Sequence, residues 1–143
     1  MRPAWTTCLA LALVAPCTAC NSDDRTPRDA VRSFVRAVES RDAEKIYELL
    51  APGTRRKLEE MARLATNQTG GGRKFEPHDL LVAGISVTTA RPGEITEEKR
   101  EGDRAVVRIT SGEKDKPIHQ DVDLIRVEGH WRVVLPDAMF ATP

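Results

Sequence analysis

Cysteine is confined to the first twenty residues of this 143-residue chain, as Cys8, Cys17 and Cys20. Whatever follows them can hold no internal disulfide and no cysteine-based zinc site. Aromatic side chains are also scarce. Beyond the N-terminal segment only Phe34, Tyr47, Phe75, Trp131 and Phe140 occur, so a core must rest on Val, Leu, Ile and Ala. Neither sign of charge dominates, since 22 Lys and Arg balance 22 Asp and Glu. That balance gives no electrostatic reason to expect nucleic acid, whose binders show a basic stripe or a high pI. No apolar run reaches the roughly 20 residues of a membrane-spanning helix. No internal repeat and no second domain is visible, and no cofactor is implied.

What is present begins with a three-part leader. Arg2 supplies positive charge, residues 4–16 supply an apolar stretch centred on Leu9-Ala10-Leu11-Ala12-Leu13-Val14, and Thr18-Ala19 are small. This is the layout of a secretory signal. The junction Cys17-Thr18-Ala19-Cys20 resembles the lipobox of bacterial lipoproteins, in which two small residues precede the cysteine that takes the lipid. Cys17 departs from that pattern, because leucine is usual there. Cleavage by an ordinary signal peptidase after Ala19 would instead release a soluble chain. Acylation of Cys20 also removes the liability of a lone thiol in an oxidising compartment. The expected organisation is a signal peptide over 1–19, lipidated Cys20 with a short tether to residue 25, and one domain over 26–143. The tether Asn21-Ser22-Asp23-Asp24-Arg25 reaches only about 17 Å when extended. The resemblance further implies that Asn21 after the lipidated cysteine directs the protein to the outer membrane, facing the periplasm.

In the remaining chain, helical spacing comes first. Thr26, Pro27 and Asp29 form a helix-start signal, and Ala30, Val31, Phe34, Val35 and Val38 recur on one side, leaving Arg28, Arg32, Arg36 and Glu39 on the other. Asp42 restarts a second helix carrying Ile46, Tyr47, Leu49 and Leu50, expected to stop at Pro52-Gly53. Thr54 is read as opening a third, with Leu58, Met61, Ala62 and Ala65 on one face. Gly70-Gly71-Gly72 ends it in a mobile loop. Two-residue alternation then predicts strands over 80–88, 95–100, 105–110, 118–127 and 131–135. Glu128-Gly129 is a tight hairpin. Residues 136–143 have no period and are assigned to the surface. The order predicts an α+β fold, two to three N-terminal helices packed on a curved antiparallel sheet of four to five strands.

Three stretches carry a family resemblance: Asp29-Ala30-Val31-Arg32-Ser33-Phe34, Ala37-Val38-Glu39-Ser40-Arg41-Asp42 and Tyr47-Glu48-Leu49-Leu50-Ala51-Pro52. They resemble the opening of cone-shaped domains of the nuclear transport factor 2 and ketosteroid-isomerase type. Val127-Glu128-Gly129-His130-Trp131-Arg132-Val133 is similar to the last two strands of that superfamily. The resemblance covers about 26–135. It implies a pocket with the helices over 27–40 and 42–50 as one wall and the strands 105–109 and 131–135 as the other. These are packing motifs, so they bear on fold and hardly on function.

Candidate chemistry is thin. Tyr47 is the one polar group the resemblance would place at a pocket, as a hydroxyl donor; otherwise it is a half-buried aromatic with its hydroxyl at the rim. His119, Asp121 and Asp123 alternate along one strand in a pattern that suits a divalent cation, yet Ile118, Val122 and Leu124 mark the opposite side as the core, so these three are assigned to solvent. His78 and His130, each beside a turn residue, are read as isolated surface groups. Gly70-Gly71-Gly72-Arg73-Lys74 lacks the strand and the Lys-Ser/Thr of a phosphate loop. Arg55-Arg56-Lys57 is the densest like-charge cluster, a solvated face or a contact for anionic lipid. No catalytic triad motif and no metal site is assigned.

These features favour a non-enzymatic envelope lipoprotein that binds a small apolar ligand or an envelope protein, as a monomer or homodimer. An isomerase- or dehydratase-type enzyme using Tyr47, and a purely structural protein, are the alternatives.

Overall fold

The computed structural model describes residues 25–84 and 94–140. The leader, Cys20 and the tether to residue 24 lie outside the described residues. So do the turn Arg91-Pro92-Gly93 and residues 85–88 of the expected 80–88 strand.

Helix α1 spans Pro27–Glu39. Thr26 Oγ1 accepts the Asp29 backbone N–H at 3.1 Å, while the Asp29 carboxylate takes the Thr26 hydroxyl at 2.5 Å. The cap therefore closes side chain to side chain rather than back to the Thr26 amide. Ala30, Val31, Phe34, Val35 and Val38 are buried as one stripe. Asp42 caps α2, Ala43–Leu49, by accepting the Lys45 N–H at 3.0 Å. The chain then extends through Leu50 and Ala51. Leu50 makes a parallel bridge to Val133, and Ala51 N–H donates to the Val133 carbonyl at 2.8 Å.

Helix α3, Pro52–Gln68, starts earlier than expected. Pro52 does not merely end α2: its fixed φ and missing N–H suit the first turn of a new helix. Thr54 sits buried in that turn, where its hydroxyl accepts the Leu135 N–H at 3.4 Å.

Over residues 80–84 the first expected strand is a correction. Pro77–Gly84 is a helix, α4. Pro77 opens it, and Asp79 Oδ2 accepts the Glu76 N–H at 3.0 Å. A short apolar run such as Leu80-Leu81-Val82-Ala83 has no period that separates a strand from a buried helix; the start signal in Pro77 and Asp79 decides.

Strands β1 (Glu94–Glu101), β2 (Arg104–Glu113), β3 (Lys116–Val127) and β4 (His130–Val134) form one antiparallel sheet in chain order. The β3–β4 hairpin turns on Glu128 and Gly129, both at positive φ (52° and 86°), as a two-residue primed turn requires. One face of the sheet, with Ala105, Val107, Val122, Leu124, Trp131 and Val133, packs into a single cluster with α1, α2 and Leu81 of α4. The fold is thus α+β, helices on one side of a curved antiparallel sheet. The C-terminal segment is less passive than expected: Asp137–Phe140 forms a 3-10 turn, Phe140 packs against the core, and Asp137 pairs with Lys57 of α3.

Candidate functional site

The two walls expected to enclose a pocket meet instead through packed side chains. Among the described residues, Val31, Leu50, Val107, Leu124 and Val133 are each buried to within 1 % between helices and sheet. The candidate site lies elsewhere, in a groove of about 520 Å³ on the helical layer. Tyr47 of α2 lines it together with Glu59, Ala62 and Thr66 of α3 and with Phe75 and His78 around the start of α4. Its volume falls within the roughly 300–1,000 Å³ of small-molecule pockets.

Local chemistry holds the groove open. After α3, Gly70 and Gly71 turn the chain at positive φ (65° and 76°). Thr69 Oγ1 donates to the Arg73 carbonyl at 3.2 Å, and Thr66 Oγ1 accepts the Phe75 N–H at 2.9 Å. The glycine loop expected to be mobile is thereby stapled back onto α3, with Phe75 on the groove wall. Arg73 stacks over the Phe75 ring at 4.8 Å, and Lys74 pairs with Glu76 at 2.6 Å.

Tyr47 is the centre of the polar part. Its hydroxyl donates to Glu59 Oε1 at 2.6 Å, and its ring meets the His78 imidazole at 4.9 Å between centroids, tilted by 45°. Arg55 lies 5.4 Å over the same ring. Burial pushes the Tyr47 hydroxyl above its ordinary pKa; the hydrogen bond to Glu59 and the charge of that carboxylate push the same way, against the opposing charge of Arg55. The proton is held firmly. Such a group can orient a bound molecule, and Glu59 with His78 can recognise its polar edge.

His78 is therefore not isolated, which corrects the sequence expectation. No local sequence pattern ties His78 or Glu59 to Tyr47. Glu59 lies twelve residues away on another helix, and only the packing of α2 beside α3 and α4 joins the three. His130 stands apart from this group, on β4 beside the turn at Gly129.

The remaining candidates resolve differently. His119, Asp121 and Asp123 all face solvent, on the side of β3 opposite Val122 and Leu124. Asp121 takes a two-pronged contact from Arg108, at 2.7 and 3.0 Å, and His119 Nδ1 lies 3.2 Å from Thr110 Oγ1. Arg108 beside it lowers the Asp121 pKa, chiefly through that hydrogen bond. Among the described residues no group of three His, Cys, Asp or Glu is placed to hold a metal ion. The basic cluster divides. Arg55 donates to the Leu50 and Glu48 carbonyls at 3.0 and 2.5 Å, satisfying the free end of α2. Lys57 pairs with Asp137, and Arg56 of the same cluster is exposed, with no ion pair among the described residues.

Fold and site together define an α+β domain with a largely apolar groove on its helical layer. No family model, no characterised protein and no solved structure matches the chain. No helix among the described residues is long and apolar enough to cross a membrane.

Proposed function

We propose that this chain is an exported bacterial lipoprotein, held in the envelope by lipid on Cys20, whose domain binds a small apolar ligand or an envelope protein in the groove beside Tyr47. Membership of the cone-domain superfamily is part of the same proposal, supported by helices that precede a meandering antiparallel sheet. The anchoring half rests on Cys17-Thr18-Ala19-Cys20. The binding half rests on one observation: the only tyrosine donates its hydroxyl to Glu59 and has its pKa raised. A general acid or base works best with a pKa near the operating pH. Tyr47 is moved away from that range, which favours holding a ligand over passing it a proton.

Native mass spectrometry of the mature lipoprotein, purified gently from its own envelope, tests the binding half, the lipid on Cys20 being counted in the expected mass. An extra mass that leaves on denaturation is expected, and substitution of Tyr47 by Phe should retain most of it. A reproducibly bare mass would defeat the ligand reading and leave a protein partner or a structural role. The acid/base alternative has one specific support, since Glu59 supplies the carboxylate that such an enzyme needs. Under that alternative, Tyr47→Phe would abolish turnover.

A further inference from the structure

We propose that the groove beside Tyr47 takes an uncharged ring compound whose hydroxyl or N–H donates to Glu59. The inference rests on the ligand-binding reading above and names the class of ligand which that reading leaves open.

Among the described residues, the charges around the groove cancel. Arg63 pairs with Glu60, the neighbour of Glu59 on α3, and Lys74 pairs with Glu76 at 2.6 Å. Lys45 and Glu48 on α2 pair with each other at 3.1 Å. Arg55 and Glu59 remain, and both act on Tyr47. The guanidinium lies 5.4 Å over its ring, and the carboxylate accepts its hydroxyl at 2.6 Å. Their charges push that hydroxyl in opposite directions. Arg73, over the Phe75 ring, and Asp79, next to His78, complete the count. His78 is neutral in the balance at pH 7. A ligand cation would thus be set beside Arg55 and a ligand anion beside Glu59, each an ion taken from water without a spare partner. A neutral molecule meets neither cost.

Hydrogen bonding then gives the ligand its polarity. Tyr47 commits its one hydroxyl proton to Glu59 Oε1, so its phenol oxygen can only accept. The second carboxylate oxygen, Glu59 Oε2, has no hydrogen-bond partner among the described residues. An ionised carboxylate also accepts and cannot donate. The polar corner is therefore a pair of acceptors, and it calls for a donor. The Asn67 amide and the His78 imidazole on the same wall can both donate and accept, so they add contacts without selecting a charge. The rest of the wall is Ala62, Phe75, Pro77 and the Tyr47 ring, an apolar surface suited to a ring. A hydrogen bond to a charged acceptor is stronger than one between neutral groups, so Glu59 carries the recognition. Tyr47→Phe leaves that contact in place.

The test uses the mature lipoprotein in detergent micelles, made with ring-labelled carbon-13 tyrosine. Tyr47 is the only tyrosine, so its ring signals in nuclear magnetic resonance report on the groove alone. Benzyl alcohol, benzyl methyl ether, benzylamine and benzoate are titrated at neutral pH, with aqueous concentrations fixed by dialysis. We expect benzyl alcohol to move the signals saturably. The ether cannot donate and should need about tenfold more, the loss of one hydrogen bond to a charged acceptor. Benzylamine and benzoate should also bind more weakly than the alcohol. Glu59→Gln keeps the shape and removes the charge, and its circular dichroism should match the parent. In that variant the alcohol should weaken by about tenfold, while benzoate gains on it because Arg55 has lost its counter-charge. Equal binding of the ether, or of either ion, to the unsubstituted protein would overturn the neutral-donor inference and leave the groove a ligand site. If no probe moves Tyr47, the inference and the groove reading fall together.

Discussion

Ser40 and Thr69 close α1 and α3 with the same pair of hydrogen bonds. After α1, Asp42 N–H reaches the Ala37 carbonyl at 2.9 Å and Arg41 N–H the Val38 carbonyl at 3.0 Å. After α3, Gly71 N–H reaches the Thr66 carbonyl at 3.1 Å and Gly70 N–H the Asn67 carbonyl at 3.0 Å. Both are Schellman ends, which need one left-handed residue. That residue is Arg41 in one (φ 54°) and Gly70 in the other (φ 65°). A side-chain-bearing residue in that conformation costs about 1–2 kcal/mol, and glycine returns part of this by loosening the unfolded chain. Arg41→Gly should therefore raise stability by about 0.5 kcal/mol, and Gly70→Ala should lower it by about 1 kcal/mol. Urea unfolding midpoints read both, and a destabilised Arg41→Gly would show that the arginine side chain itself holds the turn. Tyr47 offers a second check, because it is the only tyrosine of the chain. Its ultraviolet titration should have a midpoint above the ordinary 10.0. Glu59→Gln should lower that midpoint without restoring it fully, since burial is the larger cause. The folded protein holds this proton more tightly than the unfolded chain. The stability it contributes is whole below pH 10.0 and is lost as pH rises through the higher folded value. Tyr47→Phe should remove that alkaline loss, which unfolding curves across the range would reveal.

At the scale of elements, the β2–β3 hairpin depends on Gly112. Its φ is 91°, and a Cβ there would stand 2.9 Å from the Lys116 carbonyl oxygen of the facing strand. Backbone cannot swing aside as a flexible side chain can. Gly112→Ala should cost about 2 kcal/mol or more through strain and that contact. Thermal unfolding followed by circular dichroism measures this, and an unchanged midpoint would mean that the hairpin reshapes freely. The end of α2 makes a different kind of junction. Leu50 and Ala51 pair with Val133 before Pro52 starts the next helix, so one extended step fastens the helical layer to the sheet at β4. This is also why Tyr47 and Glu59 meet: α2 and α3 leave the same anchored point.

For the whole molecule, stability rests on the shared core of helices and sheet, since the chain beyond Cys20 has no cysteine with which to build a disulfide. Leu124, 1 % exposed at the centre of that core, should cost about 2–5 kcal/mol when cut to Ala, measured by chemical denaturation. The proposed anchor has a direct check in cells. Wild type should fractionate with membranes and Cys20→Ser should appear in the soluble fraction; if both stay in the membrane, lipid on Cys20 is not what holds the protein there.

The helices α1 and α2, the four strands and the Glu128-Gly129 hairpin were legible in the residues, because capping side chains, apolar period and turn glycines act within a few positions of one another. Local signals also placed His119, Asp121 and Asp123 in solvent, through simple alternation along β3. The same local rules misled at residues 80–84, where an apolar run has no period to separate strand from helix and the capping signal of Pro77 and Asp79 decided. The site was legible in only one residue, Tyr47. Glu59, His78 and Phe75 join it from three other stretches of chain, and nothing in their own neighbourhoods announces that meeting. The leader and Cys20 carry the expectation about destination by sequence alone, since an export signal is read as a linear segment. The groove belongs to tertiary structure, because it exists only where α2, α3 and the start of α4 pack together and a threonine-stapled loop sets Phe75 on its wall.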